Sequence, residues 1–289
     1  LAIWNSNNIK VSNVLFQNNR GYGGIAIYSS LSNRGQNNEI SGNTVSGTTG
    51  GTNQGSGIWV WSDRDNGNSG AANNNLISGN TVTNNDGQGI IVQGSNNTIS
   101  GNTVSGSGDN GIGITGEISN GNLISSNTVT GNARLTDDRF GINLFRVGNN
   151  NIVEENTVYA QHNTINDESI ENPYHDNKLG TGGIRFDGGD LAYATRFEGI
   201  TIPEDSWKNS SGNEIRNNNI FNEHQGLQVF NFNNITLKNN TVENSNIGIF
   251  LGADNLAENN STKSITVYVS DNNVSTSDPD RCIYSNPLD

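Results

Sequence analysis

Apolar residues in this chain fall in short alternating pairs rather than in runs. One pair is written GI-x-V or close to it: Ile25 and Ile27, Ile58 and Val60, Ile90 and Val92, Ile112 and Ile114. The other is the Ile and Val of the hexapeptide ISGNTV, which stands at 40–45, 77–82 and 99–104. Alternation of this kind has the period of a strand and not of a helix. Each pair is bounded by Gly, Asn, Ser and Asp, so the pattern predicts short strands joined by tight corners.

The hexapeptide continues as ISSNTV, VEENTV, IRNNNI, LKNNTV and VSDNNV toward the C-terminus. Self-similarity at so short a period predicts a solenoid, in which each unit is one coil and only stacking on its neighbours buries its apolar side chains. Three short strands per coil are expected, in about 8 to 10 coils with a length of roughly 40 Å at about 4.8 Å per coil. Aligning the copies gives two core columns. Ile40, Ile77, Ile99, Ile124, Val153, Ile215, Leu237 and Val269 form one, and Val45, Val82, Val104, Val129, Val158, Ile220, Val242 and Val274 the other. Between them runs a column of Asn43, Asn80, Asn102, Asn127, Asn156, Asn218, Asn240 and Asn272. A tight corner needs a left-handed residue, which Asn tolerates, and amides stacked at the coil spacing can bond to one another, so these asparagines are expected to be left-handed corner ladders. The array starts and stops abruptly, which predicts one elongated domain over 1–289 that is a piece of a longer polypeptide.

From Asn156 to Asn218 the column of asparagines is interrupted by two inserts, at about 160–181 and 188–212, on either side of the single strand 183–187. Insertions in a repeat protein collect on one face, and that face often binds. More than half of the acidic and basic side chains lie between Arg134 and Glu223, and the three histidines lie there or just after it. The inserts therefore predict the walls of a cleft around a charged strand.

Alternation also predicts which side chains face that cleft. If Ile184 and Phe186 point inward, Arg185 and Asp187 point out. Extended to every coil, the rule gives two outward columns: Ala2, Ala26, Trp59, Ile91, Gly113, Asn143, Arg185, Gln228 and Phe250, then Trp4, Tyr28, Trp61, Gln93, Thr115, Phe145, Asp187, Phe230 and Gly252. Exposed aromatic rings in a row mark a binding surface. Sugar rings stack on them, so a glycan lying along the axis is expected on Trp4, Tyr28, Trp59, Trp61, Asn143, Phe145, Gln228 and Phe230.

Composition narrows the partner. A net charge of -13 makes nucleic acid a poor one, since phosphate binding needs clustered Lys and Arg. No apolar run is long enough for a membrane span, so no membrane insertion is expected. The single cysteine, Cys282, leaves redox compartment undetermined. Architecture and polar surface favour an extracellular or cell-surface location. Oligomeric state is not legible.

The strings GI-x-V, NN-x-IS and GNTV resemble the right-handed parallel β-helix proteins of the pectate-lyase-like superfamily, nearly over the whole chain. The resemblance implies an all-β, single-stranded parallel β-helix whose groove runs along the face carrying Trp59, Trp61, Arg185 and Asp187. It implies a polysaccharide partner. Its catalytic signatures are absent: NPYHDN at 172–177 holds the residue types of an epimerase element in another order, and IWVWSDRD at 58–65 only superficially resembles a pectate-lyase element.

Two chemistries follow. A lyase or C5-epimerase acting on a uronate removes the proton alpha to a carboxylate, which needs a cation on that carboxylate and a nearby base. Arg185 is the candidate cation, and Tyr174, His175, Lys178 and His224 are candidate acids or bases. Calcium is the alternative cation, with Asp187 and Asp190 as oxygen ligands. Glycoside hydrolysis needs paired carboxylates instead, for which Asp187 with Asp190, Asp138 or Glu223 are available. A non-catalytic reading also stands: glycan binding, adhesion, or a tailspike-like rod.

Overall fold

The computed structural model describes residues 1–30, 34–50, 54–62, 72–116, 119–135, 139–161, 181–188, 210–252, 266–277 and 279–285. They form a right-handed parallel β-helix of three parallel sheets with 10, 9 and 9 strands. The first sheet holds the GI-x-V strands, including Gly23–Ser29, Ser56–Ser62, Phe140–Phe145, Gly182–Asp187 and Gln225–Phe230. The second and third hold the two halves of the hexapeptide, for example Thr98–Ser100 and Thr103–Ser105. Both core columns are buried through most of the array: Ile40, Ile77, Ile99, Ile124, Val45, Val82, Val104 and Val129 are all 0% exposed. Register agrees with the aligned copies, Ile99 pairing with Ile77 and Ile124. The interrupted stretch rejoins in register, since Val153 pairs with Ile215 and Val158 with Ile220.

Corners are where the structure departs from expectation. The stacked asparagines are not themselves left-handed. The residue before each one is: Gly42, Gly79, Gly101, Ser126, Glu155, Asn217, Asn239 and Asp271 have φ between 54° and 64°. Work is divided between the two positions. The first residue makes the turn, and the second turns its amide into the corner, where it replaces the strand ladder. Asn127 shows the pattern. Its Oδ1 accepts from the backbone N–H of Asn102 at 2.9 Å and from Asn102 Nδ2 at 3.0 Å, while its own Nδ2 donates to Ile99 O at 3.0 Å and Asn156 Oδ1 at 2.9 Å. Because Asn127 is buried, an Asn127→Ala variant leaves donors and acceptors in the corner without partners. It should lose about 3 kcal/mol of stability, and a urea titration measures this; a loss under about 1 kcal/mol would contradict the role.

Two further stacks line the other corners. Asn38, Asn75, Asn97, Asn122, Asn151 and Asn213 bond in series at 2.9–3.0 Å between the first and second sheets. Between the third and first sheets the stack is mixed: Thr48 bonds to Asn85, Ser107 to Asn132, Asn132 to Gln161, and Gln161 to Glu223.

Candidate functional site

The outer face of the first sheet carries both predicted outward columns in the expected register. Trp59 pairs with Ala26 and Ile91, Arg185 with Asn143 and Gln228, and Asp187 with Phe145 and Phe230. Period-two alternation on a repeat-defined register is sufficient to set these positions. The face divides into two chemically different parts.

Toward the N-terminus it is aromatic. Trp4 stacks on Tyr28 with ring centroids 4.2 Å apart, Tyr28 on Trp59 at 5.8 Å, and Trp59 on Trp61 at 5.4 Å and within 5° of parallel. Tyr22 adds a fifth ring against Trp59 at 5.2 Å. Trp59 is wedged among the others and buried, Tyr28 and Trp61 are half-buried, and Trp4 is 60% exposed. The row is not continuous, because Gln93 and Thr115 separate Trp61 from Phe145.

Toward the C-terminus it is polar and charged. The Arg185 guanidinium lies 4.5 Å over the Phe140 ring, its Nε donates to Asn143 Oδ1 at 3.1 Å, and it faces Asp187 at 3.6 Å. Arg185, Asp187 and Asn143 are buried at 5%, 8% and 7% exposure. Gln228, in the next strand, is 0% exposed. Phe145 and Phe230 are half-buried on either side of Asp187. A second guanidinium was not singled out from the sequence: Arg146 is buried, lies 4.7 Å over the Phe145 ring, and its backbone N–H donates to Asp187 O at 2.7 Å. Its one signal in the chain is an arginine immediately after a strand of the outward-aromatic face.

Other candidates fare differently. Asp138, Tyr174, His175, Lys178 and Asp190, and the inserts over 162–180 and 189–209, lie outside the described residues. His224 just precedes the strand Gln225–Phe230, four residues from Gln228, or about 13 Å along the chain. It is half-buried, with Nδ1 at 3.1 Å from Asn246 Nδ2. Burial, aided by the positive charge of Arg281, holds its imidazole below the ordinary range. His224 thus precedes its strand, whereas Arg185 lies within the neighbouring one.

Glu223 requires correction. It is not a loop acid beside the strand. It occupies the inner stack of the third corner, 4% exposed, where Gln161 Nε2 donates to its Oε1 at 3.5 Å. Burial raises its pKa to about 8, against the lowering effect of the Gln161 hydrogen bonds. At neutral pH it is a neutral acid inside the coil.

The described residues do not fit calcium at this face. Asp187 faces a guanidinium, Asn143 Oδ1 already accepts from it, and among the described residues no group of three or more His, Cys, Asp or Glu is placed to hold a metal. Elsewhere, a depression of about 510 Å³ on the second sheet is lined by Glu154, Glu214, Arg216 and Lys238. Arg216 bridges the two glutamates at 2.8 and 2.7 Å, an ion-pair network that belongs to the surface.

The family model for a right-handed β-helix region matches residues 1–166 and 56–279. The chain belongs to that family. Comparison with curated proteins gives no match. Among solved structures the fold is similar to a PL6 alginate lyase in complex with a trisaccharide, at 15% identity and a TM-score of 0.62, covering 95% of this chain and 62% of the other. It is also similar to the catalytic domain of Agl-KA, at 16% identity and a TM-score of 0.56, covering 99% of this chain and 55% of the other. The chain therefore spans about three fifths of the length of these structures. Among the described residues no helix is long and apolar enough to cross a membrane.

Proposed function

We propose that this is a polysaccharide-active protein that binds a glycan along the outer face of the first sheet, and that acts on a uronate-containing chain as a lyase or C5-epimerase at an extracellular or cell-surface location. The observation that carries the reading is the stacked row Trp4, Tyr28, Trp59 and Trp61, half-exposed or exposed at all but Trp59. Stacked on one another over three successive coils, with Trp59 and Trp61 on one strand, the rings form a continuous apolar strip against which the C–H faces of sugars can pack. An alginate lyase holding a trisaccharide on a similar fold supports a glycan as the ligand.

The charged part of the same face supports the chemistry. Arg185 is the described residue suited to neutralise a substrate carboxylate, with Asn143 and Phe140 fixing its plane. Proton abstraction next to that carboxylate then falls to a base among Tyr174, His175 and Lys178, since His224 stands about 13 Å along the chain from the Arg185 rung. In a lyase the carbanion expels the 4-linked oxygen and leaves an unsaturated uronate; in an epimerase the proton returns from the opposite face. Hydrolysis loses support because Glu223 faces the interior, which removes one of its three carboxylate pairs. Burial and mutual engagement of Arg185 and Asp187 favour a second reading, in which the face binds without catalysis.

The deciding test offers alginate, pectin, glycosaminoglycan and neutral glycans, and reads ultraviolet absorbance of unsaturated ends, reducing ends and, for epimerisation, proton NMR. New absorbance together with new ends is expected. Ends without absorbance would replace the lyase with a hydrolase, and binding without any product would leave the second reading. In either active or binding protein, Trp61→Ala should weaken polymer affinity about tenfold by calorimetry; unchanged affinity would move the glycan off this row.

A further inference from the structure

The stack between the third and first sheets is interrupted at matching places. Where the following coil supplies an amide, its oxygen accepts the backbone N–H of the residue one coil earlier: Thr48 N donates to Asn85 Oδ1 at 2.9 Å, Ser107 N to Asn132 Oδ1 at 3.0 Å and Asn132 N to Gln161 Oε1 at 3.0 Å. Where the following coil supplies a hydroxyl, that link is missing and both sides are left unpaired. Asn85 is followed by Ser107 and Glu223 by Ser245, and Asn85 Nδ2, Ser107 Oγ, Glu223 Oε2 and Ser245 Oγ are buried atoms with no hydrogen-bond partner within the protein. Among the described residues the backbone N–H groups of Asn85 and Glu223 also have no acceptor. Asn19 Nδ2 and Thr48 Oγ1 repeat the pattern at the step from the first coil to the second. Folded proteins rarely bury such groups unpaired, and here they gather wherever a hydroxyl replaces a carboxamide.

We propose that the third corner binds one internal water at the Asn85–Ser107 step and another at the Glu223–Ser245 step, each standing where a carboxamide oxygen stands in the other coils. Successive coils are about 4.8 Å apart, too far for one hydrogen bond of about 2.8 Å and suited to two that meet at a water. The water accepts from the backbone N–H and from the side-chain donor of the earlier residue, and donates to the serine Oγ of the later one. That makes three hydrogen bonds, the usual number for a buried water. At the second step the side-chain donor is the Glu223 carboxyl, which burial keeps protonated at neutral pH. Space is present there as well: a methyl group at Gly226 would meet Val242 and Gly248 but no corner side chain within 3.4 Å, whereas one at Gly111 would stand 2.8 Å from Asn132 Nδ2. The two waters keep the stack continuous where its side chains shorten, and they are independent of any glycan on the outer face.

The test compares the parent protein with Ser107→Asn, Ser245→Asn and the double variant, in which a carboxamide oxygen takes the place of each water. Oxygen-17 relaxation dispersion of the solvent counts waters held for longer than the protein tumbles, and proton exchange with buried hydroxyls does not disturb it. Each single variant should hold one such water fewer than the parent and the double variant two fewer, with melting temperatures equal to the parent's or higher because the stack is restored. An unchanged count in a folded variant overturns the site at that step. Should a variant fail to fold, high-resolution diffraction from the parent decides: a water within hydrogen-bond distance of Asn85 N and Ser107 Oγ, and of Glu223 N and Ser245 Oγ, is the expected result. Continuous protein density with no water at either step overturns the proposal.

Discussion

Replacing Glu223 by glutamine is expected to stabilise the protein by about 3 kcal/mol at pH 7. The carboxyl is buried in the third corner and its pKa is raised from 4.5 to about 8. The folded state therefore keeps a proton that the unfolded chain releases above about pH 4.5. Its contribution to stability is complete below that pH, declines by about 1.4 kcal/mol per unit as pH rises, and is gone above about 8. Glutamine carries the same shape without the charge, and the preceding position of the stack already uses it. Gln161 Nε2 donates to Val129 O at 3.1 Å and Tyr159 O at 3.0 Å, and a glutamine at 223 would meet the equivalent carbonyls of Val158 and Phe221. It would also give a partner to the Oε2 position, which has none. Urea unfolding of parent and variant at pH 5, 7 and 9 checks the prediction: the difference should be small at pH 5 and largest at pH 9. Parallel pH profiles would show that Glu223 is ionised in the fold and that its burial is relieved by another group.

A comparable effect of opposite sign is expected for Gly111→Ala. The glycine that opens each GI-x-V strand lies against the third corner, and a methyl group at 111 would stand 2.5 Å from Val129 Cγ1, 2.7 Å from Gly141 O and 2.8 Å from Asn132 Nδ2. One of these is backbone of the next coil and another belongs to the stacked amides, so neither can move without disturbing its own hydrogen bonds. Val129 and Asn132 are both fully buried. Overpacking at such a point should cost about 3 kcal/mol and lower the melting temperature by roughly 6–12 °C. Because each coil rests on the next, the loss should propagate along the array. A variant melting within about 2 °C of the parent would show that the corner is slack.

Much of this was legible in the chain, and the reason is repetition. A period of two, written once, assigns inward and outward side chains; written in every coil, it also sets register, which is why Arg185, Asn143 and Gln228 could be placed on adjacent strands across a long insertion. The Glu223 signal was present but weaker. The third residue after each core valine fills the third corner, as in Asn85 after Val82, Ser107 after Val104, Asn132 after Val129 and Gln161 after Val158. Glu223 stands at that distance from Ile220. A carboxylate in a position otherwise held by hydroxyls and amides resembles a loop acid, since its charge argues for solvent until burial is known. The expected ladder of corner asparagines is present, but its left-handed residue stands one position earlier: left-handed φ and stacked amides both favour Asn, and only the backbone separates the residue that turns from the residue that bonds.

The sequence by itself determined the β-helix, its core columns, its register and the face on which aromatic and charged residues gather. These are consequences of local alternation repeated at each coil, and local alternation is written in the chain. Only the tertiary structure decided how exposed that face is at each rung, that Arg185 rests on Phe140 and faces Asp187, that Arg146 joins them, and that Gln228 is buried without a partner. Burial and hydrogen bonding depend on what packs over a side chain from distant parts of the chain, and no periodicity records that.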